Sequence, residues 1–228
     1  MKKRGLTNNQ LKLIAMIAMT CDHVGVVLLP QVDVLRLIGR LAFPVYAYMI
    51  AEGCRHTRSM PKYLGTLAAL AALCQLVYFI AMDSLHQNVM VTFTLSVCLI
   101  MLLKNAKQKT SAAAWGAVVA GVLLVFCIAE VLPILLRNTD FLIEYGFVGV
   151  MLPVFVYAAG TKAAQLAVSG LCLVLMTYNV WAGQWFSLLA LPLLALYNGQ
   201  RGKRPMKWLF YVYYPAHLAV IQVLAWLL

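Results

Sequence analysis

Apolar segments long enough to cross a bilayer recur along nearly the whole chain, and this recurrence limits the possible folds more than any motif does. Hydrophobic residues make up 64% of the 228 positions and charged residues only 11%. No stretch is polar enough to form a separate soluble domain, so the chain reads as one integral-membrane domain, 1–228, of the all-α polytopic class. The first apolar run exceeds a signal-peptide core and no small-residue cleavage pattern follows it, so the first helix is expected to stay attached.

Apolar spans are predicted at about 9–29, 35–55, 63–82, 89–103, 112–135, 142–159, 163–180, 183–198 and 207–227, which makes about nine transmembrane helices. The basic residues orient them. With the N-terminus in the cytoplasm, Lys2, Lys3, Arg4, Lys12, Arg55, Arg58, Lys62, Lys104, Lys107, Lys109, Lys162, Arg201, Lys203, Arg204 and Lys207 fall inside, fifteen of the eighteen. Only Arg36, Arg40 and Arg137 remain on or near the outer side, where the loops carry Asp33, Asp83 and Asp140. Such sorting follows the positive-inside rule. The net charge of +11 therefore reads as topology plus attraction to anionic lipid, and no nucleic-acid partner is expected.

The loops are short and no internal repeat is evident, which gives an inverted-repeat transporter plan little support. Cys21, Cys54, Cys74, Cys98, Cys127 and Cys172 all fall in predicted spans without CxxC spacing, so they are expected to be small buried residues. No metal site is expected.

Polar residues at membrane depth cost a few kcal/mol each and so mark function. They concentrate in the first two spans. Lys12 and His23 lie eleven residues apart, three helical turns, on one face and about 16 Å apart along the axis. Asp22 is turned about 100° from His23, so the two do not share a partner by adjacency. His23 has two readings, a helix-packing hydrogen bond or a general base. In the second span Glu52 shares a face with Arg55 and His56, which it can orient. Arg55, His56, Arg58 and Lys62 make a donor cluster suited to the phosphates of a cytosolic cofactor, or else ordinary inside anchoring. Arg40, in the outer part of the same span, needs a carboxylate or a polar cavity.

The run from Leu11-Lys12-Leu13-Ile14-Ala15 through Asp22-His23-Val24-Gly25 resembles the TraX family, as does Gly39-Arg40-Leu41-Ala42-Phe43-Pro44. So do Glu52-Gly53 followed by His56-Thr57-Arg58, Tyr197-Asn198-Gly199, and Phe210-Tyr211 to Tyr214-Pro215-Ala216-His217-Leu218. The resemblance covers nearly the whole chain in order. It implies acetylation of a pilin N-terminus at the bacterial inner membrane. TraX proteins also look like distant relatives of the transmembrane acyltransferases that modify surface sugars, whose first helix carries a basic residue, ten positions and a histidine. Lys12 and His23 match that spacing, with Lys where Arg is commoner, while after Gly53 the chain departs from those relatives' basic pattern.

The resemblance implies acetyl-CoA as acyl donor, bound through Lys12, Arg55, His56, Arg58 and Lys62, with its thioester reaching His23. The acceptor would be a protein or glycan amine or hydroxyl. His23 would act as general base or carry the acyl group itself, with Asp22, Arg40 or Tyr46 setting its tautomer or steadying the oxyanion. Glu52, Tyr214 and His217 are supporting candidates. His217 resembles the histidine near the C-terminal end of the acyltransferase relatives, and it also reads as a packing hydrogen bond.

Elsewhere Glu130 is expected to pair with Arg40 or Arg137 or to snorkel, and His86 to be solvated beside Asp83. Gly146 and Gly149 are expected to allow close helix contact, while Tyr178, Trp181, Trp185, Trp208 and Tyr211 read as interfacial aromatics. The competing functional class is a small permease or proton-coupled transporter using Asp22, His23, Glu52 and Arg40.

Overall fold

In lipid the chain must satisfy its own backbone hydrogen bonds, so apolar runs become helices. The computed structural model describes residues 5–82, 84–178, 182–202 and 206–228. Lys2, Lys3, Arg4, Asp83, Trp181, Lys203 and Arg204 lie outside the described residues, as do the side chains of Lys207, Trp208, Phe210 and Tyr211. The helices are α1 (Asn8–Val27), α2 (Asp33–Gly39), α3 (Ala42–His56), α4 (Met60–Met82), α5 (Val89–Lys109) and α6 (Ala112–Phe126). A π-helical turn (Cys127–Val131) leads into α7 (Leu132–Leu135), followed by α8 (Gly146–Ala158) and α9 (Lys162–Thr177). A 3-10 helix (Ala182–Leu189), α10 (Ala190–Ala195) and α11 (Lys207–Leu227) complete the order.

Each predicted apolar run contains helix, and no strand occurs among the described residues. Five segments are long and apolar enough to cross a membrane: Asn8–Val27, Asp33–His56, Met60–Ile80, Val89–Lys109 and Ala112–Leu135. The other apolar helices are shorter, 10 to 17 residues.

The departures from the expected spans have local causes. The second run breaks between α2 and α3 because Pro44 has no N–H for the Arg40 carbonyl and its ring crowds that carbonyl. Pro133 does the same to Ala129, and the chain there widens into the π-helical turn. The fourth run continues to Lys109 rather than stopping near 103, since lysines are good helix formers and favoured in a last turn. α1 starts in a reciprocal cap: the Thr7 N–H donates to Gln10 Oε1 at 2.9 Å, and the Gln10 N–H to Thr7 Oγ1 at 3.4 Å.

The chain forms two compact units, residues 1–49 with 161–228, and residues 50–160, the division falling within α3. In the first, α1 packs on α2 and α11, α2 on the 3-10 helix, and α9 on the 3-10 helix and α10. Gly25 is small enough for close approach: a Cβ there would come within 2.9 Å of Leu35 Cβ. The segment before α1 is tied to the chain after α10, with the Leu6 N–H donating to Leu196 O and the Asn198 N–H to Leu6 O at 2.8 and 2.9 Å. Lys162 Nζ adds bonds to the carbonyls of Ala195 and Tyr197 at 2.5 and 2.6 Å.

In the second unit α5 is the hub, packing on α4, α6 and α8. Phe93, Val97 and Ile100 form its buried stripe. Lipid is as apolar as these side chains, so packing and interhelical hydrogen bonds hold such helices together. Ser96 Oγ lies 2.7 Å from Val150 O and 2.9 Å from Thr92 O, linking α5 to α8. Such a bond contributes about 0.6 kcal/mol on average.

Cys54, Cys74 and Cys172 are buried, Cys21 and Cys98 partly so, and all six thiols are free. Cys127, the first residue of the π-helical turn, is exposed, unlike the expectation.

Candidate functional site

Within the first unit, α1 and α11 bring two histidines together. His23 Nδ1 is 2.9 Å from Met19 O on its own helix, and His217 Nδ1 is 2.9 Å from Tyr213 O on its own. A carbonyl only accepts, so each Nδ1 carries a proton. His217 Nε2 lies 3.3 Å from His23 Nδ1, with the rings edge to face at a centroid distance of 4.9 Å. The Nδ1–H of His23 is thus shared between Met19 O and the His217 lone pair, and Nε2 of a neutral His23 keeps its own lone pair. His217 is buried and His23 half-buried.

The surrounding residues fix both rings. Tyr213 stacks on His217 at 5.1 Å with only 6° between planes, and Tyr214, buried, meets it edge-on at 5.6 Å. Thr20 donates to Met16 O at 2.9 Å, so the Tyr213 hydroxyl, 2.5 Å from Thr20 Oγ1, is the donor between those two. Tyr46, half-buried on α3, lies within electrostatic range of Tyr213.

Beside this pair sits an ion pair that joins α1 to the α2–α3 corner. Arg40 Nη2 donates to Asp22 Oδ1, Nη1 to Gln184 Oε1 at 3.2 Å, and Nε to Arg36 O at 3.3 Å. The side chains are 12% and 20% exposed, so the guanidinium has the carboxylate its depth demands. Gly39 is where it is because of this pair. A Cβ there would sit 2.3 Å from Asp22 Cβ and 2.5 Å from its Oδ1. The Ser187 hydroxyl, on the same 3-10 helix as Gln184, is fully buried and has no hydrogen-bond partner among the described residues.

Lys12 is half-buried near the start of α1, within electrostatic range of Arg201. Arg201 belongs to the segment laid over the first turn of α1: the Asn8 N–H donates to Gln200 O and the Asn9 N–H to Arg201 O at 2.8 and 3.2 Å.

In the second unit the expected donor cluster divides. Arg55 turns inward, donating through Nη1 to Glu52 Oε1 at 2.6 Å and through Nη2 to the carbonyls of Val156, Tyr157 and Ala159. It caps the C-terminus of α8, where a cation is favoured. His56, with its side chain 71% exposed, keeps a 3.6 Å contact to Glu52 Oε2, and Arg58 and Lys62 are exposed. Glu130 pairs with neither Arg40 nor Arg137; its Oε1 accepts the Phe147 N–H at 2.8 Å, capping the start of α8. His86 is half-buried, with Nε2 enclosed and without a hydrogen-bond partner among the described residues, in a loop that Asp140 holds through Ser84 Oγ and the Leu85 N–H.

Sequence reasoning missed Thr20, Tyr213, Gln184 and Ser187. Thr20 is three residues before His23, and Tyr213 four before His217, spacings that share a helix face and were readable. Nothing in the sequence marks Gln184 or Ser187, because the short 3-10 helix that carries them gives no long periodic pattern.

A polytopic helical membrane protein with a histidine pair beside a buried ion pair is the class these features define. The TraX family profile, described as TraX protein, matches residues 7–225, and the chain belongs to that family. It is 28% identical, over 93% of each chain, to a "Probable fimbrial assembly protein FimC, serogroup H1" of Dichelobacter nodosus. Over a shorter stretch, 18% of each chain, it is 50% identical to the "Uncharacterized protein RP591" of Rickettsia prowazekii (strain Madrid E). No solved structure matches it.

Proposed function

We propose that this protein is an acetyltransferase of the bacterial cytoplasmic membrane, moving an acetyl group from acetyl-CoA to an amine or hydroxyl of a protein or glycan acceptor. The observation that carries the reading is the imidazole of His23, with Nδ1 bound to the Met19 carbonyl and Nε2 left as a base. The relative named for fimbrial assembly favours a protein acceptor, such as the N-terminal amine of a pilin-like subunit. In this reading the N-terminus is cytoplasmic, about nine segments cross, and acetyl-CoA arrives from the cytosol. Lys12 is the cation of the first unit that would meet its phosphates, while Arg55, with Glu52, belongs to the framework of α8.

The chemistry balances with one proton carrier. The acceptor nitrogen attacks the thioester carbonyl as its proton passes to His23 Nε2. The tetrahedral intermediate collapses with cleavage of the C–S bond, and His23 returns the proton to the departing CoA sulfur. Free CoA and the acetylated acceptor are the products. The Arg40 guanidinium, positioned by Asp22, is the nearby cation suited to a developing oxyanion.

The test is turnover of acetyl-CoA by protein in lipid nanodiscs, with mass spectrometry of cell-surface polymers and membrane peptides to name the acceptor. His23→Ala is expected to lower turnover by about a hundredfold or more while acetyl-CoA still binds. Equal turnover in that variant removes His23 from the mechanism. Absence of acetyl-CoA binding by wild-type protein removes the donor and favours a transport role.

A further inference from the structure

We infer that His217 is a positioning residue for His23, fixing the tautomer in which Nε2 of His23 is the basic nitrogen. The inference rests on the acetyltransferase reading, but it stands on its own geometry. An isolated imidazole exchanges its proton between the two nitrogens, and a base with the wrong tautomer presents an N–H where a lone pair is needed. Here the choice is made twice over. Met19 O accepts from His23 Nδ1 at 2.9 Å, and His217 Nε2, whose own ring is fixed by the Tyr213 carbonyl, lies 3.3 Å from the same nitrogen.

The arrangement resembles in logic the carboxylate that orients histidine in a hydrolase triad, with a neutral imidazole as the acceptor. It differs in charge, because the carboxylate nearby, Asp22, is joined to Arg40. When His23 Nε2 takes a proton, the imidazolium charge that spreads to Nδ1 meets two acceptors already in place. His217 does not pass that proton on, since its other nitrogen is bound to the Tyr213 carbonyl. The Tyr213 stack and the Tyr213–Thr20–Met16 hydrogen bonds keep the His217 ring from turning away.

A packing role and a positioning role make different predictions for His217→Gln and His217→Phe. Glutamine can place its side-chain oxygen as an acceptor near the position of Nε2, whereas phenylalanine fills the space and accepts nothing. His217→Phe is expected to lower kcat by about a hundredfold with KM for acetyl-CoA unchanged, and His217→Gln to recover at least a tenth of wild-type kcat. A second readout needs no turnover: nitrogen NMR of histidine-labelled protein in lipid should show His23 protonated at Nδ1 in wild type and in His217→Gln, but with a measurable Nε2–H population in His217→Phe, where Met19 O alone selects the tautomer. A wild-type kcat in His217→Phe, or an unchanged His23 spectrum in that variant, overturns the inference. Loss of the tautomer preference while His23→Ala retains full turnover supports the coupling of the rings and refutes the acetyltransferase reading.

Discussion

Arg40 and Arg55 sit on the same sequence segment, each with a carboxylate partner, and their surroundings make them different residues. Arg40 holds Asp22 and Gln184, so it ties α1 to the α2–α3 corner and the 3-10 helix beside the histidine pair. Arg55 holds Glu52 and three carbonyls at the end of α8, so both Nη atoms are engaged by its own unit's framework. An intramembrane arginine is therefore not a functional signal by itself. What distinguishes the two is that the remaining partners of Arg55 are backbone carbonyls at a helix end, whereas those of Arg40 include a side chain beside the histidine pair.

The largest effect separating the two should be on stability. Arg55→Ala takes the arginine partner from Glu52, whose side chain is only 9% exposed, and three carbonyl contacts from the end of α8, and is expected to cost about 3–5 kcal/mol, read as a lowered unfolding midpoint in detergent or bicelles. Arg55→Lys should rescue little, because a single ammonium lacks the planar fork that reaches both the carboxylate and the carbonyls. An Arg55→Ala protein as stable as wild type would show that α8 ends well enough without it.

Arg40→Ala should cost less, about 1–3 kcal/mol, because Asp22 keeps some access to water. Its turnover, however, should fall further than that of folded Arg55→Ala protein. Equal loss of activity in the two variants would erase the distinction. Gly39→Ala presses a methyl group onto Asp22 and is expected to cost about 1–3 kcal/mol. Combining it with Asp22→Ala should give a smaller total than the sum of the single changes; strict additivity would mean the helices part there instead.

The smallest expected effect is a pH dependence confined to the loops of the second unit. Hydrogen bonds from Ser84 and then the Leu85 N–H hold the Asp140 carboxyl below the usual carboxylate range. Burial, opposed by Asp140, holds His86 below its ordinary value. Both groups favour the folded loop when deprotonated. The His86 contribution is full above about pH 6.5 and declines as pH falls toward its folded value, and the Asp140 contribution is full above about pH 4 and is lost further down. Hydrogen exchange at 84–88 and 138–145, corrected for intrinsic rates, should show the loops loosening in that order. Protection unchanged from neutral to acidic pH would assign the loop's order to the backbone bonds between Gln87 and Ile143's neighbours, such as Gln87 N–H to Leu142 O at 2.8 Å.

Much of the helical order was legible in the sequence because membrane segments announce themselves by length and hydropathy, and the breaks at Pro44 and Pro133 follow from proline chemistry. The demand of Arg40 for a carboxylate was legible too, since an isolated charge at that depth is costly. Its choice of Asp22 was not, because pairing between segments depends on which helices pack. The same limit hid the inward turn of Arg55: the nearby positions 56, 58 and 62 look equally basic in the sequence, and only the position of the α8 carbonyls distinguishes them. His217 was readable as a polar residue in a late span, but its distance from His23, 194 positions away, was not.

Because α11 supplies Tyr213, Tyr214 and His217, the ring that meets His23 leaves the ribosome almost two hundred residues after its companion. The first unit is assembled from residues 1–49 and 161–228, with the other unit synthesised in between. A nascent chain arrested before residue 207 can carry a complete α1 and still lack His217 opposite His23, so the pair forms only once α11 has been made and has packed on α1.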